Sequence, residues 1–500
     1  MINSGMGSVF LKPQADRIGL LHGGAIASKY LQTAGPFMIY EFTVENFRSF
    51  GDAQTLHLIK GKEQKKPENL MDTVPGFPKV VRTAAVFGHN ASGKSNLIAA
   101  MGVFVNAIRT SAASIYPNNT IPGMDGHRLA KKWDGKPCRF EMVFPSNSGR
   151  VFRYAFSALP QRIAEEKLVE ELPSDRQRPI FTRQTDGDNH TTVEFHGSAE
   201  FGSIACEQIR SFTREASLVL SNGANINVSL LRDIYEVITA RSLFLRFSPL
   251  PVDAGPHLAG LINDDGSLSL QLQAFLSDAD IGIKEIRISQ AAPLADSQVA
   301  ALEAEFRPIH GENARQAARR FIEASIRRQV QSVHKSTDGR DVEFDWGEES
   351  SGTQLFATLF CYLALAVKNG LTVMVDEFGS NIHPLLAERL IAWFQNPQHN
   401  PAAQLIFTTH CTQILTQRLL RKDQIWFTEK TTAGESRLAC MSDFRGKNAP
   451  RSTEAFERNY LAGVYGAVGN FGPYLAGVPY GGTDAAPDGT AATVEETSKR

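Results

Sequence analysis

The run Phe87-Gly88-His89-Asn90-Ala91-Ser92-Gly93-Lys94-Ser95-Asn96 has the spacing G-x-x-x-x-G-K-[ST]. That spacing is suited to holding a row of phosphates. Gly88 and Gly93 let backbone N–H groups approach the phosphates closely, and a helix start behind the loop adds its dipole. Lys94 reaches the β- and γ-oxygens and the Ser95 hydroxyl is a magnesium ligand. The expected ligands are therefore ATP and Mg²⁺.

Two further groups could complete such a site. Thr372-Val373-Met374-Val375-Asp376-Glu377 is a short apolar strand ending in two carboxylates. Asp376 would hold magnesium and Glu377 would orient and deprotonate an attacking water. Gln404-Leu405-Ile406-Phe407-Thr408-Thr409 ends at His410, whose neutral ring could accept or donate a hydrogen bond at the γ-phosphate. The expected catalytic residues are Glu377, His410 and Lys94, with Ser95 and Asp376 on the metal. Ser350-Ser351-Gly352 precedes the apolar run Leu355–Val367 and offers hydroxyls and free N–H groups to an anion. Taken alone, each of these three segments is also an ordinary strand end, strand-edge histidine or helix cap.

These residues need a strand before the glycine loop and a helix after it. Arg82–Phe87 is short, apolar and β-branched enough for a buried strand, and Ser95–Met101 has helical character. Period-two alternation over Met38–Phe47 marks the expected start of the fold, with residues 1–37 a disordered extension that need not belong to the native protein. Arg139–Phe144 and Val151–Phe156 flank Pro-Ser-Asn-Ser-Gly as a hairpin. Shorter strand patterns fill 165–205, helical patterns including Ser229–Ala240 and Asn313–His334 follow, and the tail after Phe471 is rich in Gly, Ala, Pro and Thr, with almost no large aliphatic residue after Val478.

The chain has 500 residues, 42% hydrophobic and 21% charged, with a formal net charge of −1. That is enough for about two or three globular units, and it exerts no global pull on nucleic acid. The five cysteines, Cys138, Cys206, Cys361, Cys411 and Cys440, lack C-x-x-C spacing, which argues against a disulfide framework or zinc site and for a reducing cytoplasm. Leu355–Val367 is too short to span a bilayer and reads as a buried helix, so no membrane association is expected. Arg315, Arg319, Arg320, Arg327 and Arg328 on one expected helix are the best local candidate for phosphate contacts, with a solvated helix face as the plainer alternative.

The order P-loop, Ser-Gly helix, Asp-Glu strand and strand-His resembles that of ABC-type ATPase heads, in the soluble SMC/RecF branch. Met38–Phe50, Phe87–Asn96, Glu349–Leu355, Asp376–Pro384 and Thr408–His410 are similar to the OLD-like ATPases, and closest to the RloA/AbiLi-type phage-defence group. Asp423–Lys430, Ser442–Phe444 and Tyr460–Val468 look like that group's C-terminal blocks. The resemblance implies an α/β fold: an ABC-type P-loop head in two lobes, 38–205 and 341–470, with a mainly helical lid or arm inserted at 206–340 and a disordered tail at 471–500. It implies a head dimer, or a higher oligomer, with composite ATP sites. One chain would supply Gly88, Asn90, Ser92, Gly93, Lys94, Ser95 and Asn96, and its neighbour Ser351 and Gly352. Asn46 and Arg48 would lie near the nucleotide, the alternative being that the strand at 42–47 is only scaffold. Cys411 departs from the acidic residue expected after the histidine, Val468-Gly469-Asn470 stands where a proline is more usual, and no Q-loop glutamine is placed.

No nuclease site is legible in the chain, so the resemblance points to a separate, nuclease-like effector. The expected function is an ATPase acting as sensor and scaffold of an antiviral, abortive-infection system. The alternatives are a DNA-repair ATPase that clamps duplex, with nucleic acid as partner, and a transporter's nucleotide-binding subunit, which the large insertion disfavours.

Overall fold

A computed structural model describes residues 37–112, 120–188, 190–196, 200–246, 254–263, 266–290, 328–445 and 455–468, with a few isolated positions besides. Of the expected extension 1–37, residues 1–36 lie outside the described residues, as does the tail (471–500), but Phe37 is buried against Phe144 and its carbonyl accepts the Thr372 hydroxyl, so the fold begins there.

The alternating Met38–Phe47 segment forms β1 (Glu41–Glu45), which sends Phe42 and Val44 inward. With β2 (Gln54–His57) it sits at one side of a seven-stranded antiparallel sheet. A short ladder of β3 (Leu70–Met71) and β4 (Val80–Val81) stands beside it, and β5 (Thr83–Phe87) leads to the glycine loop. The expected hairpin is β6 (Cys138–Pro145) and β7 (Val151–Leu159), continued by β8 (Arg162–Leu172), β9 (Arg176–Thr185) and β10 (Thr191–Phe195). The strand order is β10-β9-β8-β7-β6-β1-β2.

A second sheet carries the chemistry. It joins β5 to β11 (Ser242–Arg246), β15 (Thr372–Asp376), β16 (Gln404–Thr408), β17 (Ile425–Lys430) and β18 (Ser436–Cys440) in the order β11-β15-β16-β5-β17-β18. All its pairings are parallel except β17 with β18. A sheet covered on both faces needs strands apolar on both sides. Ala84 and Val86 of β5 join one core with Met374 and Ile406, whereas Ala85 and Phe87 join the other with Val373, Val375, Leu405 and Phe407. Helix α1 (Lys94–Thr110) fills the first core, its Leu97, Met101 and Phe104 lying between the parallel sheet and Phe42, Phe140 and Phe156 of the antiparallel one.

Three helices, α2 (Ser203–Phe212), α3 (Val219–Asn225) and α4 (Ser229–Ala240), pack in the same core, and α4 has the bounds read from the sequence. On the opposite face lie α5 (Ala254–Asn263), α6 (Gly266–Asp278), α7 (Ser351–Asn369) and α8 (Pro384–Gln395), and α9 (Phe456–Leu461) is the last helix among the described residues. Among the described residues α7 alone is long and apolar enough to cross a membrane. It is a core helix, with Leu355, Phe356, Leu359, Phe360 and Leu363 buried. The five cysteines are free.

The stretch 206–340 is not uniformly helical. β11 lies inside the parallel sheet beside β15, and β12 (Ile283–Gln290), β13 (Arg328–Lys335) and β14 (Asp341–Asp345) form a separate antiparallel sheet. The helix expected over Asn313–His334 is corrected here, because its last residues are the central strand β13. Val330 and Val333, spaced as for a helix face, are both buried. Of the arginines in that expected helix, Arg328 opens β13, Arg315 pairs with Glu303 at 3.7 Å, and Arg319, Arg320 and Arg327 lie outside the described residues.

A wholly buried ion pair ties the antiparallel sheet to the helices after it. Glu166 accepts hydrogen bonds from Val219 N, Leu220 N and the Tyr154 hydroxyl, with Arg183 4.0 Å away. Burial pushes the Glu166 carboxyl up, and Arg183 and its donors oppose this. The Arg183 guanidinium donates to the carbonyls of Arg214, Glu215 and Ser217. Arg183→Ala strands a buried carboxylate, and the expected loss is about 3–5 kcal/mol, read from the shift in urea midpoint.

Candidate functional site

The parallel strands β5, β15 and β16 all end on one edge of the sheet, with β16 between the other two. At the usual strand spacing this sets the end of β5 about 10 Å from the end of β15. The glycine loop, Asp376-Glu377 and His410 are thus brought to one place, the edge where open α/β sheets bind ligands.

Gly93, at φ 113°, is the N-cap of α1, and no side chain caps the helix. Its first N–H groups therefore remain available to an anion. Asn90, Ala91 and Ser95 are exposed, whereas Ser92, Gly93 and Lys94 are buried. The Lys94 ammonium donates to Gly88 O at 2.7 Å and His89 O at 3.0 Å. Burial lowers its pKa to about 8, against the opposing pull of Asp376 and Glu377.

At the end of β15, Asp376 is buried and its Oδ1 accepts the Thr408 hydroxyl at 2.7 Å. The same Thr408 oxygen accepts from Glu377 N at 2.9 Å. Glu377 has φ 61°, a left-handed conformation that a non-glycine residue holds only when its surroundings enforce it. The Arg246 guanidinium, across the β11–β15 register from Asp376, lies 4.0 Å from Oδ2. His410 is exposed and makes no hydrogen bond among the described residues. Its pKa lies below the ordinary value, first through partial desolvation of the ring where it meets the sheet edge and then through the Lys94 charge, with Glu377 and Asp376 opposing. A neutral ring at pH 7 follows.

Ser350 caps α7 through Thr353 N at 3.1 Å. Ser351 is exposed, and Gly352 lies against the loop after Glu377, where a Cβ would sit 2.7 Å from Asn381 O. Among the described residues no hydrogen bond joins Ser351 or Gly352 to the glycine loop of the same chain. Asn46 and Arg48 have partners of their own outside the glycine loop. Asn46 is fully buried, donating to Lys136 O and Pro137 O and accepting from His127 N. Arg48 pairs with Asp125 at 3.3 Å.

Sequence reasoning missed the groups that hold the loop. The Ser92 hydroxyl lies 2.6 Å from Thr428 Oγ1 of β17. The Ser436 hydroxyl of β18 donates to Ser92 O at 2.6 Å and accepts the Ser49 hydroxyl at 2.8 Å, and Ser49 Oγ in turn accepts from Asn96 at 2.8 Å. Ser92 and Asn96 therefore brace the loop from behind. No sequence spacing connects Ser92 with a residue more than 300 positions later. Gly93 has no room for a side chain, since a Cβ would run into the Ser436 hydroxyl. With the positive φ as well, Gly93→Ala is expected to weaken nucleotide binding about five- to 150-fold in calorimetry, roughly the effect of 1–3 kcal/mol of strain.

The low pKa of Lys94 carries a pH dependence. Phosphate beside it favours the ammonium, so binding draws a proton when the free protein is partly deprotonated. Calorimetry in buffers of different ionisation enthalpy is expected to show proton uptake at pH 8.5 and none at pH 6.5. Lys94→Arg abolishes the uptake. In the nucleotide-free protein the depressed pKa means that the unfolded chain binds more protons between pH 8 and 10.5. The Lys94 contribution to folding stability therefore rises with pH across that window.

A glycine loop between a strand and a helix, with two carboxylates at the same sheet edge on the next strand but one, defines the class of P-loop ATPases. Residues 260–416, which include Ser351, Asp376, Glu377 and His410 but not the glycine loop, match the family described as "AAA domain, putative AbiEii toxin, Type IV TA system". Among solved structures, the SMC head domain from Thermotoga maritima is 13% identical, with 80% of this chain and 98% of that one covered and a TM-score of 0.37. An SMC head bound to the C-terminal winged-helix domain of ScpA gives 12%, 80%, 97% and 0.37, and the recombination mediator RecF of the RecFOR pathway 11%, 81%, 99% and 0.31. No curated protein matches the chain by sequence.

Proposed function

We propose that the chain is an ABC-type ATPase that binds ATP at Gly88–Asn96 and hydrolyses it with Glu377 as base and His410 at the γ-phosphate. The convergence of Lys94, Asp376, Glu377 and His410 on one sheet edge carries this reading. Among the described residues no three His, Cys, Asp or Glu side chains cluster as a metal cage. The donors at hand, one carboxylate at Asp376 and one hydroxyl at Ser95, suit a cation that takes its other ligands from phosphate and water, as Mg²⁺ does. Bound there, Mg²⁺ neutralises developing phosphate charge. Lys94 exchanges the carbonyls of Gly88 and His89 for phosphate oxygens, Thr408 keeps Asp376 and Glu377 in register, and the neutral His410 donates to the γ-phosphate.

Ser351, which is exposed, and Gly352, which lies against the loop beyond Glu377, serve the nucleotide of a second copy, so the heads pair around ATP. The protein works in the cytoplasm, without membrane association, as sensor and scaffold of an abortive-infection system, holding or releasing a separate nuclease-like effector. The description of the family matched over 260–416, which names an AbiEii toxin and a Type IV TA system, supports the link to such a system. The test is to express the chain with its neighbouring genes, as wild type and Glu377→Gln, with ATP and Mg²⁺, and to identify co-eluting chains by mass spectrometry. A stoichiometric effector on the trapped variant is expected. A partner-free dimer carrying nucleic acid overturns the defence reading and favours a repair ATPase that clamps DNA.

A further inference from the structure

We infer that residues 455–468 form a strap that fixes the His410 turn relative to the glycine loop, with Glu457 as a positioning residue for His410. The inference rests on the reading of the site proposed above. The strap is joined by hydrogen bonds to both halves of the site. At one end Glu457 Oε1 accepts the Thr412 hydroxyl at 2.6 Å, two residues after His410. At the other, Ala467 O accepts the His89 N–H, inside the glycine loop, at 3.0 Å.

Between these ends the strap is seated on the base of the loop. The Tyr460 ring lies 6.2 Å from Phe87, the last residue of β5, and stacks on Phe427 at 5.5 Å and 14°. Tyr465 stacks on Phe427 at 5.5 Å and 18°. The Tyr460 hydroxyl closes the strap on itself at Ala467 O, 3.4 Å away. The return is tight because Gly463, Gly466 and Ala467 all have positive φ, and a Cβ on Gly466 would lie 2.7 Å from Glu429 Oε2. This explains the Tyr460-Leu461-Ala462-Gly463-Val464-Tyr465-Gly466-Ala467 motif, which the catalytic reading leaves unused.

The His410 side chain has no hydrogen bond of its own among the described residues, so its place is set by the chain on either side. Before it, the Thr409 hydroxyl donates to Phe378 O and accepts from Cys411 N, which ties the turn to the Asp376-Glu377 loop. After it, the chain enters a short turn at Thr412–Ile414, with Ile414 and Leu415 buried. The Thr412 hydroxyl is then the polar anchor of that turn, and Glu457 is its acceptor. A shift of the glycine loop on nucleotide binding thus reaches His410 through His89, Ala467, Tyr460 and Glu457.

The test compares Glu457→Ala, Glu457→Gln, Thr412→Val and the double variant Glu457→Ala/Thr412→Val in the full chain. Hydrogen exchange of residues 409–415 needs no activity. Loss of the bond is expected to speed exchange there about tenfold in Glu457→Ala while residues 88–96 stay as in the wild type. For turnover, kcat is expected to fall about tenfold with ATP affinity within twofold of wild type. Glu457→Gln, whose amide oxygen still accepts the Thr412 proton, retains most of kcat, and the double variant is no worse than either single one. Wild-type exchange and kcat in Glu457→Ala, or equal losses in Glu457→Ala and Glu457→Gln, overturn the inference. If the wild type hydrolyses no ATP, the ATPase reading fails, and the exchange comparison still decides whether Glu457 holds the turn.

Discussion

The Glu377→Gln variant is expected to bind ATP as the wild type does and to turn it over about 10²–10⁴-fold more slowly, the usual contribution of a general base. The substitution is nearly isosteric. The backbone N–H of Glu377 remains on the Thr408 hydroxyl at 2.9 Å and the residue keeps its left-handed conformation, so the side chain stays in place and only its basicity is lost. Asp376 and Lys94 are untouched, and nucleotide is retained. If the heads pair around ATP, the stalled variant accumulates as a dimer with ATP and Mg²⁺, while the wild type does so only transiently. Size-exclusion chromatography with light scattering and single-turnover kinetics read both effects. Wild-type turnover by this variant would remove Glu377 from the mechanism.

Lys94→Ala has the second large effect, on binding itself. In the nucleotide-free protein this buried ammonium already gives its protons to Gly88 O and His89 O, and burial disfavours its charge. It is held poised for a stronger acceptor. Exchanging the two carbonyls for phosphate oxygens makes charge-assisted bonds worth about 1.5–3 kcal/mol, so removal weakens ATP binding by roughly ten- to 150-fold. Lys94 is the first residue of α1, where alanine is the best helix former, so the helix survives. Calorimetric titration beside an unchanged circular dichroism spectrum checks the prediction. Binding of wild-type strength would mean that the loop does not hold the phosphates.

The two variants are separable. Lys94→Ala loses affinity and, with it, any ATP-dependent dimer, whereas Glu377→Gln retains both. A protein that only bound nucleotide would respond to the first substitution and ignore the second.

The sequence by itself determined what is local. Gly88 and Gly93 stand where the chain needs positive φ and close backbone approach, and the alternation of Met38–Phe47 and the apolar run of Thr372–Val375 carry their burial patterns in their own side chains. The helix Ser229–Ala240 declares itself in the same way. Only the tertiary structure decided the rest, because there the partners lie far apart in the chain. Thr408 joins Asp376 from 32 residues away, Ser436 braces Ser92 from 344, and Glu457 reaches Thr412 from 45. The β11 strand comes from a stretch expected to be mainly helical, and the expected helix ending at His334 gave way to β13 because two flanking strands satisfy its backbone. Local spacing records which residues can turn, cap or alternate, whereas a hydrogen bond between distant strands leaves no periodic trace in either of them.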